Sequence, residues 1–474
     1  MALLALLDRS RCIAPRDYDR WRVPPAALAI HLSIGQAYAF SVFNLPLTKL
    51  LGVTESAPGD WKLTTVGWIF SVAIVFLGLS AFTFGKWLED AGPRKAMFAS
   101  ALCFSGGFLL SSLGARTHQI WLLYLGYGVL GGIGLGLGYI SPVSTLIKWF
   151  PDRPGMATGL AIMGFGGGAM IGSPLAVALM GAFATPTDTG VATTFAVMGA
   201  LYFAFMMFGV VTVRLPAPGW TPPTFTGIAA STAPIVPTVG TPAGRSDAQR
   251  RPSVPDVHVD EALKTRQFWL LWAVLCLNVT AGIGVLGQAS PMIQEMFPHS
   301  LTPAAAAGFV GLLSLANMAG RFLWSSASDA IGRKRTYMAF FALGAALYAL
   351  VPTLGAMGSV LLFVFAYAII MSMYGGGFAT IPAYLRDLFG VMHVGAIHGR
   401  LLTAWSVAGV AGPVLVNYIR EYQIAHGVAK ADAYSVTMYL MASLLLVGFV
   451  ANWLVRPVAP VHHFVPAANS EAGT

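Results

Sequence analysis

The chain has 474 residues, of which 56% are hydrophobic and only 10% are charged. Because soluble domains are about a quarter charged, this composition excludes an ordinary soluble protein and indicates one embedded in lipid. The three cysteines, Cys12, Cys103 and Cys276, have no spacing typical of a disulfide framework or a zinc site. The net charge of +9 could suggest nucleic-acid binding, but the positions of the basic residues favour another explanation.

The chain contains twelve apolar runs, each long enough to cross a bilayer as a helix of about 20 residues. The first twelve residues, MALLALLDRSRC, lack the features of a secretory signal, and we interpret them as part of a cytoplasmic tail. The predicted spans are 23–47, 66–84, 96–115, 119–147, 156–181, 192–213, 267–293, 303–325, 336–355, 359–384, 394–419 and 433–455.

The basic residues between these runs are strongly biased to one side. That side has 21 Lys and Arg residues and the other has 5, with Arg321 and Arg400 assigned to neither. Basic loops stay in the cytoplasm, so we expect both termini to be cytoplasmic in an inner or plasma membrane. The bias explains the positive charge, and we expect no nucleic-acid partner.

The segment 215–264 interrupts the apolar pattern. It is rich in Pro, Thr, Ala and Gly and has RSDAQRRPSVP in its middle, a composition that cannot bury a core. We therefore predict a cytoplasmic linker between a six-helix bundle at 1–214 and a second at 265–474. Residues 260–269 are predicted to form a short helix that leads into the seventh span.

The two halves repeat with an offset near 240 residues. The segment GKWLEDAGPRK at 85–95 matches SSASDAIGRKR at 325–335, and GYISP at 138–142 matches FATIP at 378–382. Several features share one offset, and repeated halves are common in transporters that build a site at the interface between halves. The paired motif residues are Glu89 and Asp329, Gly92 and Gly332, and Lys95 and Arg335.

Each copy of the motif places an acid, a tight-turn glycine and basic residues between adjacent helices. The acid could pair with helix ends and basic groups in one conformation and release them in another. The candidates for this latch are Glu89, Arg94, Asp329 and Arg333. Alternatively, the basic residues only fix the topology.

The doubled motif, the twelve spans and the long central loop together resemble the major facilitator superfamily. The resemblance implies an all-α membrane protein with two pseudo-symmetric six-helix bundles. In the family pattern a Gly leads, and an Asp and a basic residue follow. The departures here are Glu89 and Asp90 in the first copy and Ser325 and Ala330 in the second; they bear on the strength of the latch rather than on the fold.

Several spans also resemble the oxalate:formate antiporter family of that superfamily. The similar stretches are GQAYAFSVFNLPL at 35–47, GGIGLGLGYISPVSTLIKWFPDRPGMATG at 131–159, NVTAGIGVLGQASP at 278–291, NMAGRFLWSSASDAIGRKR at 317–335, YGGGFATIPAYLRDLFG at 374–390 and GRLLTAWSVAGVAGP at 399–413. The similarity covers nearly the whole membrane region but neither the linker nor the tails.

Arg321 lies in an apolar helix, eight residues before Asp329 and therefore roughly 12 Å into the membrane. An intramembrane arginine is costly and marks a functional site by default, and its planar fork suits a carboxylate. The resemblance places it where the oxalate carrier has a substrate-binding arginine. Alternatively, it extends to the cytoplasmic edge or bonds helix carbonyls.

By the same resemblance, aromatic residues line the substrate pocket. Tyr38, Tyr139, Tyr374 and Phe378 match aromatic positions of the oxalate carrier, although each could be ordinary helix packing. The carrier has a second basic residue, a lysine, in its eleventh helix, and Trp405 stands at that position here. We therefore expect a pocket with one positive charge.

The sequence offers no acidic group for proton coupling inside a span. Monocarboxylate transporters have an Asp one turn before their arginine, and Asn317 stands at that position here. His31 lies in the first span and could titrate, but a lone histidine is commonly a packed, hydrogen-bonded group. We therefore expect exchange or facilitated transport of an anion.

The leading interpretation is a monomeric transporter of small carboxylates such as formate, lactate, pyruvate or oxalate, with monoanions favoured, that works by alternating access. No cofactor, metal or catalytic cluster is expected, so the chain is not predicted to be an enzyme. The alternatives are a proton-driven efflux pump for drugs or metabolites and a membrane receptor that senses a carboxylate.

Overall fold

The protein is described by a computed structural model that covers residues 6–222, 255–286, 288–297 and 303–464. In these ranges eleven helices are long and apolar enough to cross a membrane by length and composition. A twelfth long helix, Pro303–Ile331, packs among them and carries Arg321 near its middle. Each of the twelve predicted spans therefore contains a helix.

The helices follow the predicted runs and extend several of them by a turn or two. They are α1 Arg20–Leu47, α2 Leu63–Ala91, α3 Pro93–Arg116, α4 Ile120–Trp149, α5 Pro154–Phe183, α6 Val191–Thr212, α7 Arg266–Leu286, α8 Pro303–Ile331, α9 Arg333–Ala356, α10 Val360–Phe389, α11 Val394–Ala425 and α12 Ser435–Trp453.

The helices form two sets of six with matching packing. In the first set α1 packs on α5, α2 on α4 and α3 on α6; in the second α7 packs on α11, α8 on α10 and α9 on α12. The sets meet through α2 with α11 and through α5 with α8, which are equivalent pairs under the repeat. The expected architecture of two pseudo-symmetric six-helix bundles is confirmed.

Both repeated motifs form tight turns, between α2 and α3 and between α8 and α9. Gly92 has φ 86° and Gly332 has φ 92°, values that side chains with a Cβ rarely adopt. Glu89 and Asp329 lie in the last turns of α2 and α8 rather than in loops. We call the end of the molecule that carries these two turns the motif end.

Four spans depart from a continuous α-helix. In α1, Gly35–Phe43 is a 3₁₀ helix, and in α4, Tyr124–Gly131 is a π-helix. The α7 helix ends at Leu286, and Ala289–Met296 forms a separate helix where one run was predicted over 267–293. In α11, Leu402 interrupts the helix three residues before Trp405. Such irregularities are frequent at functional sites.

Only the ends of the predicted linker lie within the described residues. At one end, the backbone of Leu215 exchanges hydrogen bonds with Cys12 and Ala14 at 2.8 Å. At the other end, the predicted short helix occurs as Val259–Ala262 and is separate from α7. The three-part division at 214 and 264 stays a prediction.

The far end of the linker contacts both bundles. The Asp260 carboxylate accepts a hydrogen bond from Arg400 of α11 at 2.6 Å and lies 4.0 Å from Lys86 of α2. The Arg400 hydrogen bond holds the pKa of Asp260 below its usual value. Arg400 is thus occupied at the motif end, away from the middle of the spans.

Candidate substrate-binding site

Arg321 is buried in the centre of the molecule because glycines let three helices approach closely. A Cβ on Gly159 of α5 would lie 2.7 Å from the Arg321 carbonyl oxygen, and one on Gly375 of α10 would lie 2.1 Å from the Asn317 carbonyl oxygen, one turn before Arg321. Both distances are too short for a real side chain, so these glycines hold α5 and α10 against α8. Arg321 has 0% exposure and does not extend to the edge of the bundle.

The Arg321 guanidinium is incompletely paired. Its Nε donates to Asn317 Oδ1 at 3.0 Å, and its Nη1 donates to the Ile162 carbonyl at 3.4 Å. Its Nη2 has no hydrogen-bond partner, and within the described ranges no acidic side chain forms an ion pair with it. The site therefore contains a buried cation with unused hydrogen-bond donors. This arrangement costs free energy unless a ligand supplies acceptors.

Aromatic rings surround the guanidinium. Its Cζ lies 5.6 Å from the ring centre of Phe165 and 5.4 Å from that of Phe378. Trp405 packs against both, with ring centres 5.6 Å and 4.6 Å apart. Tyr139 and Tyr38 complete the wall, with ring centres 5.3 Å and 6.2 Å from Trp405. These rings exclude water, and so strengthen the electrostatic attraction of a bound anion.

The polar atoms of this wall are mainly hydrogen-bond donors. The Tyr139 hydroxyl and Trp405 Nε1 are buried without a partner, and the Tyr38 and Tyr374 hydroxyls lie 3.4 Å apart. Since one hydroxyl of that pair donates to the other, the second keeps a free O–H. Free donors around one cation suit an anion rather than a cation.

The structure brings together all seven residues that the sequence predicted for the pocket. Asn317 and Phe378 contact Arg321 directly, and the others join through ring contacts with Trp405 or Phe378. The set is Arg321, Tyr38, Tyr139, Tyr374, Phe378, Trp405 and Asn317.

Sequence reasoning missed Phe165 and His398. Phe165 lies in the apolar run GFGGG, where nothing distinguishes it from a packing residue. His398 is fully buried with its ring centre 5.8 Å from that of Tyr139. An ionisable residue within an apolar run is a signal that could have identified it.

At the motif end, each repeated acid binds the start of a helix in the opposite bundle. Asp329 of α8 accepts hydrogen bonds from the backbone N–H groups of Gly155 and Met156 in α5, both at 2.9 Å. Glu89 of α2 accepts one from Gly395 N–H in α11 at 3.1 Å and pairs with Lys148 at 2.6 Å. Both acids complement the positive end of a helix dipole.

The two motif arginines differ in their partners. Arg333 pairs with Asp329 and with Asp387, the latter at 3.1 Å, both in its own bundle, and so supports the contact between bundles through Asp329. Arg94 donates to the carbonyl oxygens of Leu6, Val211 and Val213. Arg94 thus contacts the end of α6 within its own bundle, a placement the sequence pattern did not distinguish.

We expect Asp329→Asn to lower transport while changing substrate affinity less. The amide lacks the charge that attracts Arg333 and the N-terminus of α5. The conformation in which the motif end is closed should therefore be destabilised by about 1.4 kcal/mol, which lowers its population roughly tenfold. Exchange rates and half-saturating concentrations in proteoliposomes measure both effects. Asp432→Asn, on the exposed surface, is the matched control, and equal rates for Asp329→Asn and the parent protein would contradict the latch.

Sequence and structure comparisons agree on the class of protein. The chain matches the Major Facilitator Superfamily over residues 26–413 and 290–473. It is 26% identical over 394 residues to the oxalate:formate antiporter of Oxalobacter formigenes, covering 82% of this chain and 81% of the relative. It is 25% identical over 382 residues to the apicoplast pyruvate carrier 1 of Toxoplasma gondii, covering 73% and 68%.

A solved structure shows the same fold. The fucose:proton symporter of E. coli superposes with a TM-score of 0.63 at 12% identity, covering 92% of this chain and 98% of the symporter. At this identity the likeness concerns the architecture of the helices alone. With the family match over most of its length, the chain belongs to the Major Facilitator Superfamily of membrane transporters.

Proposed function

We propose that this protein transports small carboxylate anions, with monoanions favoured, by alternating access. The observation that carries the proposal is the fully buried Arg321, which has a free Nη2 and no acidic partner in the described part of the chain. Leaving a buried charge without a partner costs several kcal/mol. A carboxylate would offset that cost with two parallel N–H···O bonds.

The surroundings support a small ligand. Phe165 and Phe378 cover the guanidinium from two helices, and Trp405 fills the space between them. The oxalate:formate antiporter and the pyruvate carrier, both similar over most of the chain, are named for carboxylates of one to three carbons. Formate, pyruvate and lactate are therefore the first candidates.

Exchange is the favoured mode of transport. An empty carrier that changes conformation must keep Arg321 buried without an anion, whereas a loaded carrier moves a neutral pair. The two acids nearest the span interiors are already paired, Glu295 with Arg420 and Asp387 with Arg333. Both acids are thus held by arginines, which weakens the alternative of a proton-driven efflux pump.

Counterflow in proteoliposomes tests the proposal. Vesicles loaded with unlabelled formate, pyruvate or lactate should accumulate the labelled anion transiently, and vesicles loaded with buffer should accumulate much less. Binding of labelled anion without uptake would indicate a receptor instead. Exchange of none of these carboxylates would overturn the proposed substrate class.

We further propose that the motif end faces the cytoplasm of a cell with this protein in its inner or plasma membrane. The basis is the distribution of Lys and Arg residues, of which 21 lie on the side of the motif end and 5 on the opposite side. In a cysteine-free background, Ser246→Cys in the linker should resist an impermeant thiol reagent on intact cells, whereas Thr187→Cys in the α5–α6 loop should react. The reverse labelling pattern would refute this orientation.

A further inference from the structure

Two buried histidines flank Tyr139 on the motif side of the pocket. His31 of α1 and His398 of α11 are 0% and 1% exposed, and their ring centres lie 5.5 Å and 5.8 Å from that of Tyr139. His31 precedes Tyr38 by seven residues, and His398 precedes Trp405 by seven. Each histidine therefore lies about two helical turns toward the motif end from a wall residue on its own helix, and both contact Tyr139.

Each histidine has a ring nitrogen without a hydrogen-bond partner. His31 Nε2 lies 3.2 Å from the Tyr139 carbonyl oxygen, to which it donates as N–H, while its Nδ1 is buried and unpaired. His398 Nε2 is likewise buried and unpaired. An unprotonated imidazole nitrogen accepts a proton. Each of the two side chains can therefore take up one proton next to the pocket.

Within the part of the chain that the structure describes, the ionisable groups that face this pair include no unpaired acid. Tyr139 of α4 lies between the histidines. Two groups act electrostatically on His31, namely Arg321 of α8 and His398. Glu89 of α2 reaches α11 at Gly395, one turn before His398, but it is held by Lys148. A proton on either histidine is therefore opposed by burial, and at His31 also by the charge of Arg321 when the pocket is empty.

The charge of the bound anion decides whether the pocket favours a proton on one of the histidines. A monoanion neutralises Arg321 and leaves no charge for a second cation to offset. A dianion leaves one negative charge over, and an imidazolium two turns away would neutralise it. Proton binding and dianion binding then favour each other by the same factor.

Building on the proposed carboxylate transport, we propose that His31 and His398 form a proton site that is filled only when a dicarboxylate occupies the pocket. One imidazole nitrogen takes one proton from water on the open side and becomes imidazolium. After the conformational change the dianion leaves, and the imidazolium returns that proton to water on the other side. The carrier thus moves a monoanion alone or a dianion with one proton, both without unpaired charge beside Arg321.

The experiment compares oxalate and pyruvate exchange in proteoliposomes between pH 8 and pH 5, a range that includes the ordinary pKa of histidine. The oxalate-to-pyruvate ratio should rise about tenfold in the parent protein. His398→Gln and His31→Gln keep the side-chain size and polarity but cannot become cationic, so their ratios should rise much less. His426→Gln, at the exposed end of α11, should behave as the parent.

A pH-sensitive dye inside the vesicles gives a second readout. Oxalate entry in exchange for pyruvate should acidify the lumen of parent vesicles, and pyruvate–pyruvate exchange should not. If both glutamine variants keep the full rise and the acidification, the proton travels on the dianion itself and the inference is overturned. Pyruvate exchange in every variant would leave the carboxylate proposal intact, whereas its absence in the parent would defeat that proposal first.

Discussion

Replacing Arg321 with alanine should abolish carboxylate exchange. The anion would lose the cation that offsets its dehydration, and removing one partner of a buried ion pair costs about 3–5 kcal/mol. That loss corresponds to a drop of at least roughly 100-fold in exchange at a fixed substrate concentration. Initial rates of counterflow measure it, and a monodisperse elution profile shows that the variant is folded.

Two further variants separate charge from geometry. Arg321→Lys keeps the charge but loses the planar fork, so it should retain a small fraction of the activity. Arg116→Ala removes an exposed arginine at the end of α3 and should leave exchange unchanged. Near-parental exchange by folded Arg321→Ala would show that the anion binds elsewhere.

Replacing Trp405 with lysine should shift selectivity toward oxalate. Trp405 lies at the centre of the aromatic wall, and its Nε1 is buried without a partner. A lysine there would supply a second fixed cation, and hydrogen bonds to charged groups contribute about 1.5–3 kcal/mol. The oxalate-to-pyruvate ratio should therefore rise about tenfold or more.

The control for this change is Trp405→Met, because methionine is similar to lysine in length but carries no charge. Both variants lose the ring contacts with Phe378 and Tyr139, so a change shared by both reflects packing. Only the lysine variant should favour oxalate, and its oxalate exchange should no longer depend on His398. A rise of the same size in Trp405→Met would attribute selectivity to pocket volume instead of charge.

The architecture was predictable because lipid imposes a long apolar helix on every span. The repeat at 85–95 and 325–335 also indicated the two bundles, and both glycine turns occur where expected. The breaks within the spans were harder to predict from the sequence. Leu402 and the end of α7 at Leu286 lie inside two of the predicted spans, and hydropathy averaged over a whole span does not mark them.

The pocket was predictable where the sequence carried a costly or distinctive residue. Arg321 is conspicuous in an apolar helix, and the resemblance to a carboxylate carrier located the aromatic residues. Phe165 was not predictable, because its place beside Arg321 depends on how α5 and α8 cross. The placement of His31 and His398 on either side of Tyr139 likewise depends on the contact between bundles, since 367 residues separate the two histidines in the chain.

Competition by oxalate, oxamate and oxamide for labelled pyruvate exchange tests the central claim most directly. The three compounds have nearly the same shape and carry two, one and no negative charges at neutral pH. A pocket with the single fixed cation Arg321 should be inhibited most strongly by oxamate, less by oxalate and not measurably by oxamide. Strongest inhibition by oxalate at neutral pH, or equal inhibition by oxamide, would contradict recognition of one carboxylate by one buried arginine.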